Sequence, residues 1–210
     1  MEQLKAMGLR NVPVVAIGER YTFAQNLKDV ARFVGVALDR SQLAPSVLAP
    51  RYDSILQTAQ GLVRQVPLDQ MGNRVIPNRP RLIRPFLYHI FRIGESFLIA
   101  YSGETYSNTL ANADPPAELE TPAQIAEYGQ SVRDRLNAWW DTNADRALEK
   151  RIGTYYGEQS AHDVFERTTW HSAQHCRQLA VMLERLGITP RAPLTAEQVR
   201  GLPLPEGIWE

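Results

Sequence analysis

From Arg51 to Leu186 the chain has a helical period throughout, with apolar residues at intervals of three and four positions, as in helices that bury one face. Four such apolar stripes can be traced. They contain Tyr52, Ile55, Ala59, Leu62 and Val66; Leu82, Phe86, His89, Ile93 and Phe97; Ile125, Val132, Leu136 and Trp139; and Val164, Thr168, His171, His175, Leu179, Met182 and Leu186. Because no strand pattern separates the stripes, they predict a mainly α protein whose main domain, residues 51–186, is a four-helix bundle.

Local signals mark the ends of the third and fourth helices. Thr121 and Gln124 have the spacing of a capping box, and Ser160 with Asp163 repeats it. Gly187 is placed to end the fourth helix. A long connection, residues 103–120, precedes the third helix and predicts a crossover in the bundle.

The two ends of the chain have other patterns. In residues 1–38 a stretch of apolar residues interrupted by a turn signal is followed by apolar residues at helical spacing. This pattern predicts two strands followed by a helix. Residues 39–50 contain two prolines and are predicted to be a linker, and residues 187–210 are predicted to pack on the bundle as a tail. A unit as small as residues 1–38 exposes strand edges and an apolar face, so it should pack on the bundle or on a second subunit. A homodimer is therefore favoured.

Composition narrows the class of protein. The 23 basic and 23 acidic residues cancel, which disfavours nucleic acid as a partner. The single cysteine cannot form an internal disulfide, no apolar run is long enough to span a membrane, and the first residues lack the apolar stretch of a signal peptide. These features predict a cytoplasmic protein with no nucleic-acid or membrane partner. A small-molecule substrate is the expected partner.

Three of the four histidines, His89, His171 and His175, fall within the apolar stripes. Buried imidazoles require either a hydrogen-bond network or a shared ligand, and two histidines one turn apart with a third on a facing helix can converge on one ion. The pattern therefore favours a metal site over buried structural histidines. His162 lies on the opposite side of its helix and should be exposed, and Cys176 should be packed and inert.

The segments "FLYHIFRIGESFL", "TTWHSAQHCRQLAVMLERLGI" and "GLPLPEGIW" resemble the DinB-like (YfiT-type) proteins over about residues 51–210. The resemblance implies an up-down-down-up four-helix bundle that binds a divalent metal through His89, His171 and His175. Members of that family include transferases and isomerases that use low-molecular-weight thiols, and many have no known activity.

The N-terminal segment resembles the second half of a glutaredoxin, which is half of a thioredoxin fold. In that family a cis-proline after Val or Thr opens a strand that binds glutathione, and Val12 and Pro13 match this motif. The resemblance implies that these two residues bind a thiol cofactor. The half of the fold that carries the active-site cysteine is absent, and the positions that usually hold the end of glutathione are residues 21–26, "YTFAQN". Redox catalysis is not expected.

Three functions fit these features. The first is a metal-dependent transferase that uses a thiol such as glutathione, with zinc or nickel as the metal. The second is a metal-dependent hydrolase or lyase that uses metal-bound water, and the third is a non-catalytic binding module stabilised by a metal. Hydrolysis requires a nearby carboxylate base, and Glu95, Asp163 and Glu166 are all predicted to face outward. Thiol transfer is therefore favoured.

Overall fold

The computed structural model describes residues 13–38, 41–74 and 80–209. The elements are β1 (Val14–Ile17), β2 (Arg20–Phe23), α1 (Leu27–Val34), α2 (Pro45–Val63), α3 (Ile83–Ser102), α4 (Asn108–Ala111), α5 (Pro122–Thr142), β3 (Arg151–Thr154), β4 (Gly157–Ser160), α6 (Ala161–Arg185) and α7 (Ala196–Val199). A 3-10 turn at Leu68–Gln70 follows α2. The chain is mainly helical, as predicted.

The four long helices α2, α3, α5 and α6 enclose a single apolar core. Helices α2 and α3 each pack against both α5 and α6. Several aromatic side chains in this core, among them Phe91, Phe97 and Phe165, are almost completely buried. The approach of α3 to α5 is close, because a Cβ atom at Gly129 would lie 2.6 Å from the ring of Phe91. None of the helices in the described parts of the chain is long and apolar enough to cross a membrane.

The order of contacts between helices has a regular pattern. Between α2 and α5, residues early in one helix contact residues late in the other, and the same holds between α3 and α6. The pairs are Asp53 with Asn137 and Gln60 with Ala126, and Phe86 with His175 and Phe97 with Phe165. Between α3 and α5, residues early in one helix contact residues early in the other, and the same holds between α2 and α6. Those pairs are Tyr88 with Tyr128 and Glu95 with Arg135, and Tyr52 with Phe165 and Ile55 with Cys176. Each long helix thus has one neighbour of each kind.

The predicted helix signals are confirmed at several ends. Thr121 and Gln124 form a complete capping box at the start of α5. The Ser160 hydroxyl accepts a hydrogen bond from the backbone of Asp163 at the start of α6. One stripe position is wrong, because Leu82 precedes α3 and is 39% exposed.

Two expectations about the elements are wrong. Residues 51–186 are not helical throughout, because β3 and β4 form an antiparallel hairpin in which Ile152 lies opposite Gln159. The proposed linker is also too long, since α2 begins at Pro45 and not after Pro50. Proline fits the first turn of a helix, where backbone N–H groups lack helical partners, so Pro45 starts the helix that it was expected to prevent.

The N-terminal segment has the predicted strand, strand and helix, with β1 antiparallel to β2. It packs on the hairpin and on α6, mainly through polar side chains. The Asn26 amide donates to the Gln159 side chain over 2.7 Å, and Lys28 forms a 3.0 Å ion pair with Asp163. The segment therefore uses the bundle as one of the two predicted packing surfaces, and the homodimer stays a prediction.

The C-terminal tail packs on the long helices. The side chain of Leu202 is buried in the core. The amide of Gln174 donates to the carbonyls of Gly207 and Ile208, and the amide of Gln178 donates to the carbonyl of Ile208. The tail therefore lies along α6, beside its histidines.

Candidate metal centre

The predicted histidines meet in one cluster. His89 is on α3, and His171 and His175 are one turn apart on α6. One ring nitrogen of each residue lies within 4.8 Å of the corresponding atoms of the other two. The distances between ring centroids are 4.6 Å for His171 and His175, 5.0 Å for His89 and His175, and 5.4 Å for His89 and His171. We call this cluster the histidine triad.

Two members of the triad are oriented by hydrogen bonds. The Nδ1 atom of His89 lies 2.9 Å from the carbonyl oxygen of Ala111, and Nδ1 of His175 lies 2.7 Å from the side-chain oxygen of Gln178. Because both partners are oxygen acceptors, Nδ1 is the donor in each ring, and a neutral ring then has its lone pair on Nε2. Such outer hydrogen bonds commonly fix the tautomer and orientation of histidine ligands.

Two ring nitrogens of the triad are buried without a hydrogen-bond partner within the described residues: Nε2 of His175 and Nδ1 of His171. Burial lowers the pKa of His175 to about 4. Burial lowers the pKa values of His89 and His171 well below their ordinary value, and repulsion from His175, when that ring is protonated, lowers them further. All three imidazoles are therefore neutral at neutral pH. Neutral nitrogens that lack another partner are suitable ligands for a divalent transition metal.

A cavity of about 880 Å³ opens beside the triad, with His171 and His175 in its wall. Phe86 and Trp170 contribute apolar surface next to the histidines. The opposite walls come from the N-terminal segment, including Gln25, and from tail residues that include Leu204 and Trp209. Its volume is in the range of small-molecule sites, which usually hold about 300–1,000 Å³.

Charged side chains also line this cavity. The cations are Lys28, Arg81 and Arg167, and the carboxylates are Asp163 and Glu166. The expectation that both carboxylates face outward is wrong, since Glu166 is 5% exposed. Both are nevertheless engaged: Asp163 contacts Lys28, and Glu166 accepts from the backbone of Leu43. Burial alone would raise the pKa of Asp163, but hydrogen bonds from Ser160, Lys28 and Gln42 lower it below its ordinary value.

The remaining candidates lie outside the triad. Cys176 is buried, and burial raises the pKa of its thiol far above the ordinary range, as expected of an inert cysteine. His162 is partly buried and its Nε2 lies 2.8 Å from the carbonyl of Leu43, so the prediction that it is exposed is wrong. Glu95 does not face outward either, because it bonds to Tyr128 and Arg135 of α5.

The structure describes one of the two residues predicted to bind a thiol. Val12 lies outside the described residues, and Pro13 lines the cavity. Sequence reasoning missed Gln178, which orients His175, and Arg167, which also faces the cavity. Their positions three residues after His175 and four residues before His171 place them on the same side of α6, and this spacing was the available signal.

The fold and the site together define a mainly helical protein with a three-histidine cluster able to hold a metal. A family model described as the DinB superfamily matches residues 22–179, which include all three histidines. The chain belongs to this superfamily. The match begins within β2, so it includes much of the N-terminal segment as well as the long helices. No curated protein matches the chain.

Proposed function

We propose that this DinB-superfamily protein is a divalent-metal-dependent transferase that joins a low-molecular-weight thiol, such as glutathione, to an electrophile. The observation that carries the proposal is the opening of the histidine triad into a cavity large enough for two small molecules. Three histidines would leave at least one coordination position for a ligand, which is typical of catalytic sites. Zinc or nickel is the metal that suits these nitrogen donors.

Each part of the site has a place in this reaction. When bound there, a divalent ion would supply Lewis acidity that favours the thiolate form of the thiol. Ala111 and Gln178 hold the rings of His89 and His175, while Phe86 and Trp170 provide an apolar wall that excludes water. In the transfer, the thiol loses its proton to solvent and a sulfur–carbon bond forms. The leaving group departs with the electron pair of the bond that breaks.

The arrangement of the carboxylates favours thiol transfer over hydrolysis. Asp163 accepts hydrogen bonds, pairs with Lys28 and has a lowered pKa, so it is a weak general base. A metal-dependent hydrolase or lyase is the second candidate, because Asp163 and Glu166 do line the cavity. In that reaction one carboxylate would have to leave its present partners to accept a proton from water.

Two structural proposals accompany this function. The order of helix contacts supports an up-down-down-up bundle, in which α2 and α6 run one way and α3 and α5 the other. The position of Pro13 in the wall of the cavity supports a glutaredoxin-like role for the N-terminal segment in binding the thiol.

The test compares metal content and thiol dependence in matched histidine variants. We expect elemental analysis to find about one divalent ion per chain in wild type and a large loss in His175→Ala, because that variant removes one of three ligands. His162→Ala is the control, since His162 is on the same helix but bonds to a backbone carbonyl. Its metal content should match wild type.

Activity is then measured with a benzyl halide as electrophile, with and without glutathione, bacillithiol or mycothiol. Product formation should require a thiol and should fall at least tenfold in His175→Ala. Turnover without any thiol would reject the transferase and favour the hydrolase. Equal metal content in His175→Ala and wild type would reject the metal site itself.

A further inference from the structure

Arg167 is a buried cation that has no ion-pair partner among the described residues. Its side chain extends from α6 into the wall of the cavity, and the residue is only 7% exposed. Within the described ranges, no carboxylate lies at ion-pair distance from its guanidinium group. Burying a charge without a counterion is costly, so such a group usually has a ligand or a partner of opposite charge.

The present contacts of Arg167 compensate only part of its charge. Its Nε and Nη2 atoms both donate to the side-chain oxygen of Gln25, at 2.9 and 2.5 Å. The rings of Tyr106 and Tyr156 lie 5.8 and 5.6 Å from its central carbon, which adds cation–π attraction. The Tyr106 hydroxyl also interacts with the guanidinium, as a neutral partner. The guanidinium therefore retains donors for a further acceptor.

The neutral oxygen of Gln25 binds the edge of the guanidinium that carboxylates commonly bind with two hydrogen bonds. A carboxylate could take this edge if Gln25 moved, or it could use Nη1 with Gln25 in place. The cavity that Arg167 lines also presents Trp170, Leu204 and Trp209 in its walls, which are suitable surfaces for an organic molecule. An organic anion fits this combination better than a small inorganic one.

Arg167 and His171 are four residues apart on α6, so they share one face of the helix. Their positions differ by slightly more than one helical turn, about 6 Å along the axis. A ligand whose carboxylate binds Arg167 therefore has its remaining atoms within reach of the histidine triad.

We propose that Arg167 binds a carboxylate group of the ligand in the cavity and so orients the reacting end of that ligand towards the histidine triad. This inference deepens the proposed function and rests on it for the identity of the reaction. The carboxylate can belong to the thiol or to the electrophile, and the chemistry of recognition is the same for both. Arg167 is thus a specificity-determining residue.

The test measures binding by calorimetry to metal-loaded protein at constant ionic strength. Glutathione is compared with its diethyl ester, and 4-methylbenzoate with 4-methylbenzamide. We expect wild type to bind the charged member of at least one pair roughly tenfold more tightly, as hydrogen bonds to a charged group allow. A preference within the glutathione pair assigns the carboxylate to the thiol, and one within the benzoate pair assigns it to the electrophile.

Arg167→Met should remove this preference and leave metal content unchanged. Arg151→Met is the control, because it removes the same charge from an exposed residue of β3. It should keep the preference. If Arg167→Met does not fold, Arg167→Lys keeps the charge but loses the two-donor edge, and it should show an intermediate preference.

Three results would overturn the inference. They are equal binding of both members of each pair by wild type, an unchanged preference in the Arg167 variants, and tighter binding of inorganic phosphate than of either carboxylate. The outcome is separable from that of the proposed function. A carboxylate preference that depends on Arg167 in a protein without thiol-dependent turnover would reject the transferase alone, and turnover without the preference would reject the role of Arg167 alone.

Discussion

The long helices and the N-terminal segment are held in place by different forces. The core between the helices is apolar, and side chains such as Phe97 and Phe165 are almost completely buried. The N-terminal segment is attached through amides and charges, including Asn26 to Gln159 and Lys28 to Asp163, while Ile17 remains 47% exposed. Apolar burial stabilises the fold as a whole, whereas polar contacts determine where a segment lies.

This difference matters because the cavity lies between the two regions. The histidines belong to the long helices, and Gln25 and Pro13 belong to the N-terminal segment. Regions with few buried apolar contacts usually open at a lower free energy than the core. The segment should therefore open without unfolding the helices, which would give ligands access to the triad.

The largest difference in stability is expected between removing a phenyl ring from the helical core and removing one from the N-terminal segment. Phe97 packs on Phe165 and Trp139 at ring distances of 4.9 and 5.0 Å, so Phe97→Ala should lower the free energy of unfolding by about 3–5 kcal/mol. Phe23 is half-buried against Tyr155, and Phe23→Ala should cost about 1 kcal/mol or less. Urea denaturation measures both. Similar losses in the two variants would contradict the comparison.

A smaller effect is expected from the charge network between α3 and α5. Burial alone would raise the pKa of Glu95, but hydrogen bonds from Tyr128, Arg135 and Arg92 lower it below its ordinary value. The folded protein therefore binds fewer protons than the unfolded chain in acid. This contribution to stability is present above the ordinary glutamate pKa of 4.5 and is lost as the pH falls through and below it.

Glu95→Gln should accordingly lower the free energy of unfolding at neutral pH by about 1–3 kcal/mol and reduce its dependence on pH in acid. Glu158→Gln is the matched control, because Glu158 pairs with Arg151 on the surface with 66% of its side chain exposed. Exposed pairs contribute little, so its pH profile should follow that of wild type. An unchanged acid slope in Glu95→Gln would reject the role of this network.

The helices and the triad could be predicted because their signals are local or periodic. Caps such as Thr121 with Gln124 depend on residues three positions apart, and His171 and His175 share a helical face in any straight helix. The third histidine of the triad, His89, could be identified because its apolar neighbours set the phase of α3. Local geometry thus contains most of the information needed for the candidate metal site.

The acidic and basic lining of the cavity was not predictable in this way. A prediction from apolar stripes assumes that the opposite side of each helix faces water. This assumption does not hold for α6. The N-terminal segment and the tail cover its second side, so Glu166, Arg167 and Gln174 are all at least nine-tenths buried. The β3–β4 hairpin was missed for a related reason. Its four-residue strands are too short for a clear alternation, and the polar residue Gln159 is buried, with its side chain bonded to Asn26 and Asp29 of the N-terminal segment.

Replacing Asn26 is expected to have the smallest effect on global stability and the most localised effect on hydrogen exchange. Its side chain caps α1 by accepting from the backbone of Lys28 over 2.9 Å and also donates to Gln159. Losing a cap typically costs about 1 kcal/mol, so Asn26→Ala should speed amide hydrogen exchange in Leu27–Val34 roughly fivefold. The urea midpoint should not move, because the core is untouched. Asn73→Ala, which loses only a contact with Gln70, should leave exchange in α1 unchanged. Faster exchange throughout α2, α3, α5 and α6 in Asn26→Ala would mean that the segment and the helices unfold as one unit.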